Sequence, residues 1–368
     1  MSPDGGRIKG RRADAPGVPY LRWLNRSPRS FNLTAAIDRV SDAQSVAALL
    51  EPGIRVAITT HVNADGDGTG SEVALWHLLN ARGIRAAITN PTPFPDRYAF
   101  LLDGIEQADK TGEAVKYVER ADAVLVVDIS DISRLGQLGS FVEKAGVPVA
   151  CIDHHLSDGS LPAGPRMVDP TACAAGELVF DLVQATGWKM TPAIARALYV
   201  AILTDTGGFR FSNTSSRCLR VAADLLECDV DPEEIYRLIY ASNPEGRVRL
   251  TSEVLETLVV EPDIGLAWIT VPEGSLHRYR VTAEQLDGLV EYPRSIDGVQ
   301  LALQFRKLVN GRVKISFRSV GEVNVASLAE QFGGGGHRKA AGASIEGTLA
   351  AVQARVLDAA RVVLREGH

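Results

Sequence analysis

Short apolar runs alternate with amphipathic segments along the first part of the chain. Four of these runs, rich in β-branched residues, predict buried strands at residues 54–60, 84–89, 123–128 and 147–153. Segments such as 71–82 and 132–145 carry apolar residues at helical spacing instead. This alternation of strands and helices predicts a parallel α/β sheet.

The last third of the chain follows a second strand pattern. Residues 264–270, 299–305 and 312–318 alternate or run apolar like strands, and 349–364 has the periodicity of a closing helix. A length of 368 residues also suggests two domains. We therefore predict an α/β protein with a first domain at 31–242, a linker helix at 243–258 and a smaller α/β domain at 259–368.

Composition narrows the class of protein. Hydrophobic residues make up 45% of the chain, which is typical of a globular protein, and the net charge of -6 argues against a general nucleic-acid coat. The four cysteines form no Cys-x-x-Cys pair, and no apolar run approaches the roughly 20 residues of a membrane span. We expect a cytoplasmic protein. Residues 1–30 lack the apolar core of a signal peptide, so we expect a disordered tail, a segment before the true start, or a nucleic-acid-binding arm.

The segment 61–71, His-Val-Asn-Ala-Asp-Gly-Asp-Gly-Thr-Gly-Ser, directly follows the first predicted strand. It places His61, Asp65 and Asp67 in one strand-to-helix turn, at the sheet edge where α/β proteins bind ligands. Two carboxylates so close together would repel each other without a cation. The segment therefore predicts a metal site; an Asp-Gly-rich turn that only caps a helix is the alternative.

Other polar residues fall at the ends of later strands. Asp128 ends the third strand, and Asp153, His154 and His155 end the fourth. Because carboxylates and imidazoles gather here without a thiolate, we expect Mn²⁺ or Mg²⁺, with two ions bridged by one aspartate. Asp128 as a helix cap and residues 153–155 as a polar turn are the simpler alternatives.

The second domain carries a basic strand and a glycine run. Residues 301–321 contain five cationic side chains and no acidic one, and alternation places Arg312, Lys314 and Arg318 on one face. Backbone N–H groups of Gly334, Gly335 and Gly336, followed by His337, fit a phosphate-binding nest. A flexible glycine hinge and a plain solvated strand are the alternatives.

These motifs resemble the DHH phosphoesterases, named for a triplet that corresponds to residues 153–155. The resemblance includes the His-x-x-x-Asp-x-Asp turn, the Val-Asp pair at 127–128, Leu-Thr-Asp at 203–205 and a DHHA1-like second domain, and it covers roughly residues 33–365. Ala64 stands where the family commonly has proline. The compact layout resembles that of the bacterial nano-RNase branch. The members of this branch are oligoribonucleases that also remove the 3′ phosphate of phosphoadenosine phosphate (pAp).

The resemblance implies a role for each residue. It implies that His61, Asp65 and Asp128 hold one Mn²⁺, and that Asp128 bridges to a second ion held also by three further residues, Asp67, His154 and Asp205. It implies that His155 faces the scissile phosphate and that Asp153 orients a ligand histidine. We predict that Arg318, Gly334, Gly335, Gly336 and His337 bind the substrate, and the resemblance implies a substrate cleft between the two domains.

Several functions agree with this resemblance. We expect hydrolysis of short RNA oligonucleotides to 5′-mononucleotides and of pAp, by a protein that binds no membrane and is compatible with a homodimer. A cyclic di-AMP or pApA phosphodiesterase is the main alternative, followed by a RecJ-type exonuclease, an inorganic pyrophosphatase and a tRNA-editing factor. A nucleotide-sensing binding module is the alternative from another class.

Overall fold

Two separate six-stranded sheets organise the chain. The computed structural model describes residues 33–105, 107–108, 111–156 and 160–366, so the predicted tail at 1–30 lies outside the described residues. One structural unit ends at Ile239 and the other begins at Tyr240. Within the described residues, no helix has both the length and the apolar character needed to cross a lipid bilayer.

The sheet of the first unit is entirely parallel. Its strands are β1 (Arg55–Thr59), β2 (Arg85–Thr89), β3 (Gln107–Ala108), β4 (Ala123–Val127), β5 (Val149–Asp153) and β6 (Arg166–Val168). They are arranged in the order β3-β2-β1-β4-β5-β6. The chain therefore moves outward in both directions from the β1/β4 pair, and the carboxyl ends of these two strands form the switch point where α/β sheets bind ligands.

Eight helices in the described residues accompany this sheet. They are α1 (Leu33–Ala47), α2 (Gly66–Asn80), α3 (Thr111–Val118), α4 (Gln137–Lys144), α5 (Ala175–Thr186), α6 (Pro192–Asp205), α7 (Ser216–Leu226) and α8 (Pro232–Tyr240). Helix α2 packs along α5 and α6, whereas α3 and α4 pack together. Helices α3 and α4 cover a core that includes Ala57, Val124 and Leu138.

The second unit has a mixed sheet. Its strands are β7 (Val259–Glu261), β8 (Leu266–Val271), β9 (Leu301–Lys307), β10 (Arg312–Ser319), β11 (Gly335–His337) and β12 (Ala340–Glu346). Its helices are α9 (Glu245–Leu255), α10 (Ser275–Tyr279), α11 (Glu291–Arg294), α12 (Val325–Glu330) and α13 (Leu349–Glu366). The strand order is β11-β12-β10-β9-β8-β7, with only the β8–β9 pair parallel among the pairs described. Phe305 and Phe317 are fully buried in its core with α13 residues such as Val356.

The predicted fold class, a parallel α/β domain followed by a smaller α/β domain, is confirmed. The four predicted strands of the first sheet are present, and the basic strand alternates as expected, with Val313, Ile315 and Phe317 buried. The predicted linker helix corresponds to α9, whose Leu250 and Val254 pack inside the second unit. The residue limits proposed for the domains stay a prediction.

The glycines of the 61–71 segment lie at the start of a helix. Helix α2 begins at Gly66, so these glycines lie within its first turns and none of them has a positive φ. A Cβ atom on Gly70 would lie 2.5 Å from the carbonyl oxygen of Ala197 in α6. The glycines therefore permit close packing around the start of α2.

Gly70→Ala should lower the free energy of unfolding by about 1–3 kcal/mol, because the new methyl group meets backbone that cannot move away easily. Chemical denaturation would measure the change. Gly112→Ala is the matched control: Gly112 lies in α3 with open space around its Cβ position, so this change should be neutral or stabilising. Equal stability of the Gly70 variant and the wild type would contradict the packing argument.

Candidate metal centre

The predicted metal ligands meet at the switch point of the first sheet. His61, Asp65 and Asp67 follow β1, and Asp128 follows β4. His154 comes directly after β5, and Asp205 is the last residue of α6. The parallel topology thus brings side chains that are far apart in sequence to one edge of the sheet.

Two groups of possible ligands share Asp128. In the first group, His61 Nε2 lies 3.7 Å from Asp65 Oδ2 and 3.6 Å from Asp128 Oδ2. In the second, His154 Nε2 lies 3.6 Å from Asp67 Oδ2, 3.6 Å from Asp128 Oδ1 and 3.7 Å from Asp205 Oδ2. Asp128 therefore directs one carboxylate oxygen to each group, as a bridging ligand would.

These distances fit donors that share a cation. They are too long for hydrogen bonds, whereas two ligands each about 2.1 Å from one ion are about 3–4 Å apart. Asp128 Oδ1 is buried and has no hydrogen-bond partner among the described residues. A buried carboxylate oxygen without a partner is costly, so the donor set fits a bound metal ion at this position.

The pKa shifts in the cluster also fit a bound metal ion. Burial raises the pKa of Asp67 well above its ordinary value, and Asp128 and Asp205 add to the effect. Burial, with a contribution from Asp128, raises the pKa of Asp205 to about 6, although His154 opposes it. Burial disfavours the charged form of His61, but the carboxylates of Asp128 and Asp65 outweigh it and raise its pKa to about 10. Bound cations would favour the deprotonated forms of these residues, because metal ligands must be deprotonated.

Local hydrogen bonds orient the first group. The Nδ1–H of His61 donates to the carbonyl of Val62 at 2.9 Å, which leaves Nε2 available as a ligand. Asp65 caps α2, because its Oδ1 accepts from the N–H groups of Asp67 and Gly68 at 3.0 and 3.2 Å. Asp65 therefore caps the helix, as the alternative interpretation stated. Its second oxygen still faces His61, so the interpretation as a metal ligand holds as well. Asp128 is not a helix cap; it has a left-handed φ of 56°, an uncommon conformation for a non-glycine residue.

The second group is held from α5 and the segment after α6. Asp67 accepts from the backbone N–H groups of Ala175 at 2.6 Å and Gly176 at 2.9 Å, which places the carboxylate at the N-terminus of α5. Asn213 Nδ2 donates to Asp205 Oδ2 at 3.1 Å and to the carbonyl of Cys173 at 2.9 Å. The sequence analysis did not predict the contacts of Ala175, Gly176 and Asn213 with these aspartates. The only signal for any of these contacts was an asparagine that follows the Thr-Asp-Thr-Gly-Gly segment.

Asp153 holds His155 instead of a ligand histidine. Its Oδ1 lies 2.8 Å from His155 Nδ1, and its side chain is fully buried. This corrects the expectation that Asp153 orients His61 or His154. Because His155 Nδ1 carries the proton donated to Asp153, that nitrogen is not a free ligand. Burial lowers the pKa of His155, but Asp153 and Asp128 outweigh it and raise the pKa above its ordinary value.

The predicted substrate-binding residues lie in the second unit. Arg318 of β10 and His337 of β11 both pair with Ala340 of β12, so they occupy the same register position on either side of it. Arg318 donates to the carbonyl of Phe317 at 3.0 Å and lies 3.5 Å from Glu291, with one third of its side chain exposed.

The predicted glycine nest is partly a strand. Gly335 and Gly336 belong to β11. Gly336 has a φ of 146°, and a Cβ there would lie 2.5 Å from the carbonyl oxygen of Ala340. A Cβ on Gly334 would clash with the carbonyl oxygen of Gly342. Gly334 and Gly336 therefore have a packing reason that the flexible-hinge alternative does not account for, whereas a Cβ on Gly335 would meet open space.

The fold and the cluster define an α/β protein with a carboxylate–imidazole centre at the switch point of a parallel sheet. The DHH family, N-terminal domain, matches residues 55–202, and the DHHA1 domain matches residues 269–366. The chain belongs to the DHH family, as its motifs predicted.

Similar proteins cover most of the chain. The bifunctional oligoribonuclease and PAP phosphatase NrnA of Thermus thermophilus is 33% identical over 85% of this chain and 91% of that protein. The Bacillus subtilis protein of the same name is 26% identical over 79% of this chain and 89% of its own length. The crystal structure of an exopolyphosphatase-related protein from Bacteroides fragilis aligns with a TM-score of 0.82 at 26% identity, over 88% of this chain and 98% of that one.

Asp128→Ala should remove metal from both groups, because each group uses one of its oxygens. Asp65→Ala should remove a ligand from the first group only. The measurement is the Mn²⁺ content per chain after equilibrium dialysis, with Asp224→Ala, an exposed change on α7, as the control. Two ions retained by the Asp128 variant would refute a bridging role.

Asn213→Ala should weaken Mn²⁺ binding by about 10- to 100-fold, as loss of a residue that orients a metal ligand commonly does. Calorimetric titration of Mn²⁺ into the metal-free protein would measure it. The control is Asn310→Ala, because Asn310 accepts a hydrogen bond from Arg312 in an exposed turn of the other unit. An unchanged Kd for the Asn213 variant would show that Asp205 does not need this contact.

Proposed function

We propose that this protein is a metal-dependent phosphoesterase that hydrolyses short oligoribonucleotides to 5′-mononucleotides and removes the 3′ phosphate of pAp. The observation that carries the proposal is the division of the Asp128 carboxylate between two ligand groups, with Oδ2 near His61 and Oδ1 near His154. Such paired sites suit displacement at phosphorus. The names of the Thermus thermophilus and Bacillus subtilis relatives support the choice of substrates.

Two divalent cations at these groups would supply a water of lowered pKa and would offset charge on the phosphoryl oxygens. Mn²⁺ is the proposed metal and Mg²⁺ the alternative, because the donors are carboxylates and imidazoles and no cysteine belongs to the groups. The proposed ligands of the first ion are His61, Asp65 and Asp128. Those of the second are Asp67, Asp128, His154 and Asp205.

His155 is the proposed contact to the scissile phosphate. Its raised pKa favours an imidazolium, which would donate to a phosphoryl oxygen and balance its charge. Asp153 acts through His155 as a positioning residue, since it fixes the ring through Nδ1. In this proposal His155 stabilises charge and is not a metal ligand.

The second unit is proposed to bind a phosphate remote from the reacting one. Arg318 is partly exposed on the basic face of β10, and His337 shares its register position beside Ala340. Backbone N–H groups at Gly334, Gly335 and Gly336 would add to this contact. Arginine keeps its proton in proteins, so Arg318 suits anion binding and not metal ligation.

We also propose a cytoplasmic location, because all four cysteines are free thiols and a reducing compartment keeps them so. The homodimer stays a prediction that the mass in solution would test.

Product analysis on pAp, pApA, cyclic di-AMP and a ladder of two- to ten-residue RNAs would test the substrates. Turnover confined to cyclic di-AMP or pApA would replace the proposed function by the dinucleotide phosphodiesterase.

Removal of metal should abolish turnover of pAp, because the ligand groups alone supply neither a water of lowered pKa nor positive charge to offset the phosphoryl oxygens. Dialysis against a chelator followed by return of Mn²⁺, Mg²⁺ or Zn²⁺ would measure the dependence, and we expect Mn²⁺ to restore the highest rate. Full turnover by the chelated protein in metal-free buffer would exclude the proposed mechanism.

Arg318→Ala and His337→Ala should each lower kcat/KM for pAp and for a dinucleotide by about 10- to 150-fold, the value of a charge-assisted contact of about 1.5–3 kcal/mol. Hydrolysis of bis-p-nitrophenyl phosphate, which has no second phosphate, should stay nearly unchanged. Arg355→Ala, an exposed change on α13, is the control. An equal loss on all three substrates would place these residues at the reacting phosphate.

A further inference from the structure

A cavity of about 530 Å³ opens at the amino end of the first sheet. Its walls include two aromatic side chains, Trp76 and Tyr117, and its cationic side chains are Arg55, Arg85, Lys116 and Arg120. Its volume lies within the range of about 300–1,000 Å³ that is typical of small-molecule sites. Nothing in the proposed reaction uses this cavity.

The cavity is separate from the metal centre. Arg55 and Arg85 are the first residues of β1 and β2 and lie directly opposite each other. The metal ligands follow the other end of β1, which is about 13 Å away at roughly 3.3 Å per residue. A molecule in the cavity therefore would not contact the carboxylate cluster.

The positive charge around the cavity exceeds the negative charge that nearby groups of the protein supply. Arg55 is paired with Asp122 through contacts of 2.9 and 3.1 Å. Arg85, Lys116 and Arg120 make no side-chain hydrogen bond or ion pair within the described part of the chain. Helices α2 and α3 end nearby, and each C-terminus counts as about half a negative charge. With Asp122 also included, about two positive charges remain for an anion.

The shape and lining suit an aromatic ring. Trp76 and Tyr117 are both partly exposed, and Ala86 and Ala87 in the first half of β2 also belong to the lining. Aromatic faces bind nucleobases by stacking without strong base preference. A ring and a phosphate together match the aromatic and cationic parts of the lining, whereas either alone would leave one part unused.

We propose that this cavity binds a nucleoside monophosphate, with its base against Trp76 and Tyr117 and its phosphate against Arg85, Lys116 and Arg120. The cavity accommodates a single nucleotide, which favours a free mononucleotide over an RNA strand. The proposal does not depend on the reaction at the metal centre. It adds a second nucleotide site to the first unit.

Calorimetric titration with adenosine 5′-monophosphate tests the proposal on the full-length protein in the presence of a chelator. The double variant Lys116→Glu/Arg120→Glu should bind it about tenfold more weakly or worse, because two phosphate contacts become repulsive. Lys189→Glu makes a charge reversal at an exposed position outside the cavity and should have no effect. Circular dichroism and Mn²⁺ content, measured on all variants, should match the wild type.

Three further ligands separate the contributions. Adenosine, which lacks the phosphate, and inorganic phosphate, which lacks the ring, should each bind about tenfold more weakly than the nucleotide or worse. Equal affinity of the nucleotide for the double variant and the wild type would overturn the proposal, as would no binding by the wild type at millimolar concentration. A dinucleotide whose binding alone is lost in the double variant would overturn it in favour of an RNA-binding surface.

Discussion

Repulsion between buried carboxylates is the constraint on which the first unit depends. Asp67 and Asp128 have side chains that are 1% and 3% exposed, and Asp205 lies beside them. Burying one unpaired carboxylate is already costly, and a cluster of three adds mutual repulsion. The fold can hold such a cluster only where other groups offset the charge, and the switch point of the sheet supplies space for cations there.

The backbone of α5 offsets part of the negative charge of this cluster. Ala175 and Gly176 donate to Asp67, so the positive end of a twelve-residue helix faces the most buried of these three carboxylates. The start of α5 is itself fixed, because Glu177 accepts from the backbone N–H of Cys173 and from Arg39 of α1. The interactions around Arg39 therefore act on the metal centre by holding the helix that holds Asp67.

Sequence patterns predicted the parts of the fold that have a residue-type signature. The strands before His61, Asp128 and His154 are runs of β-branched and apolar residues, which are typical of the buried strands of a parallel sheet. Parallel topology then requires the polar residues after them to share an edge. By contrast, β12 was missed because Ala340–Glu346 is rich in alanine and glycine, which have low strand propensity. Its pairing with β10 and β11 decides its structure.

The same distinction explains which parts of the candidate site could be predicted. A divalent cation selects side chains by chemistry, so carboxylates and imidazoles at strand ends were visible in the sequence. The groups that orient them include backbone amides at Ala175 and Gly176, and any residue except proline supplies a backbone N–H. The partner of Asp153 depends on side-chain direction after β5, which the order of residues does not determine. Prediction of ligands from sequence thus reaches the atoms that would contact a metal and stops at the atoms that hold those ligands in place.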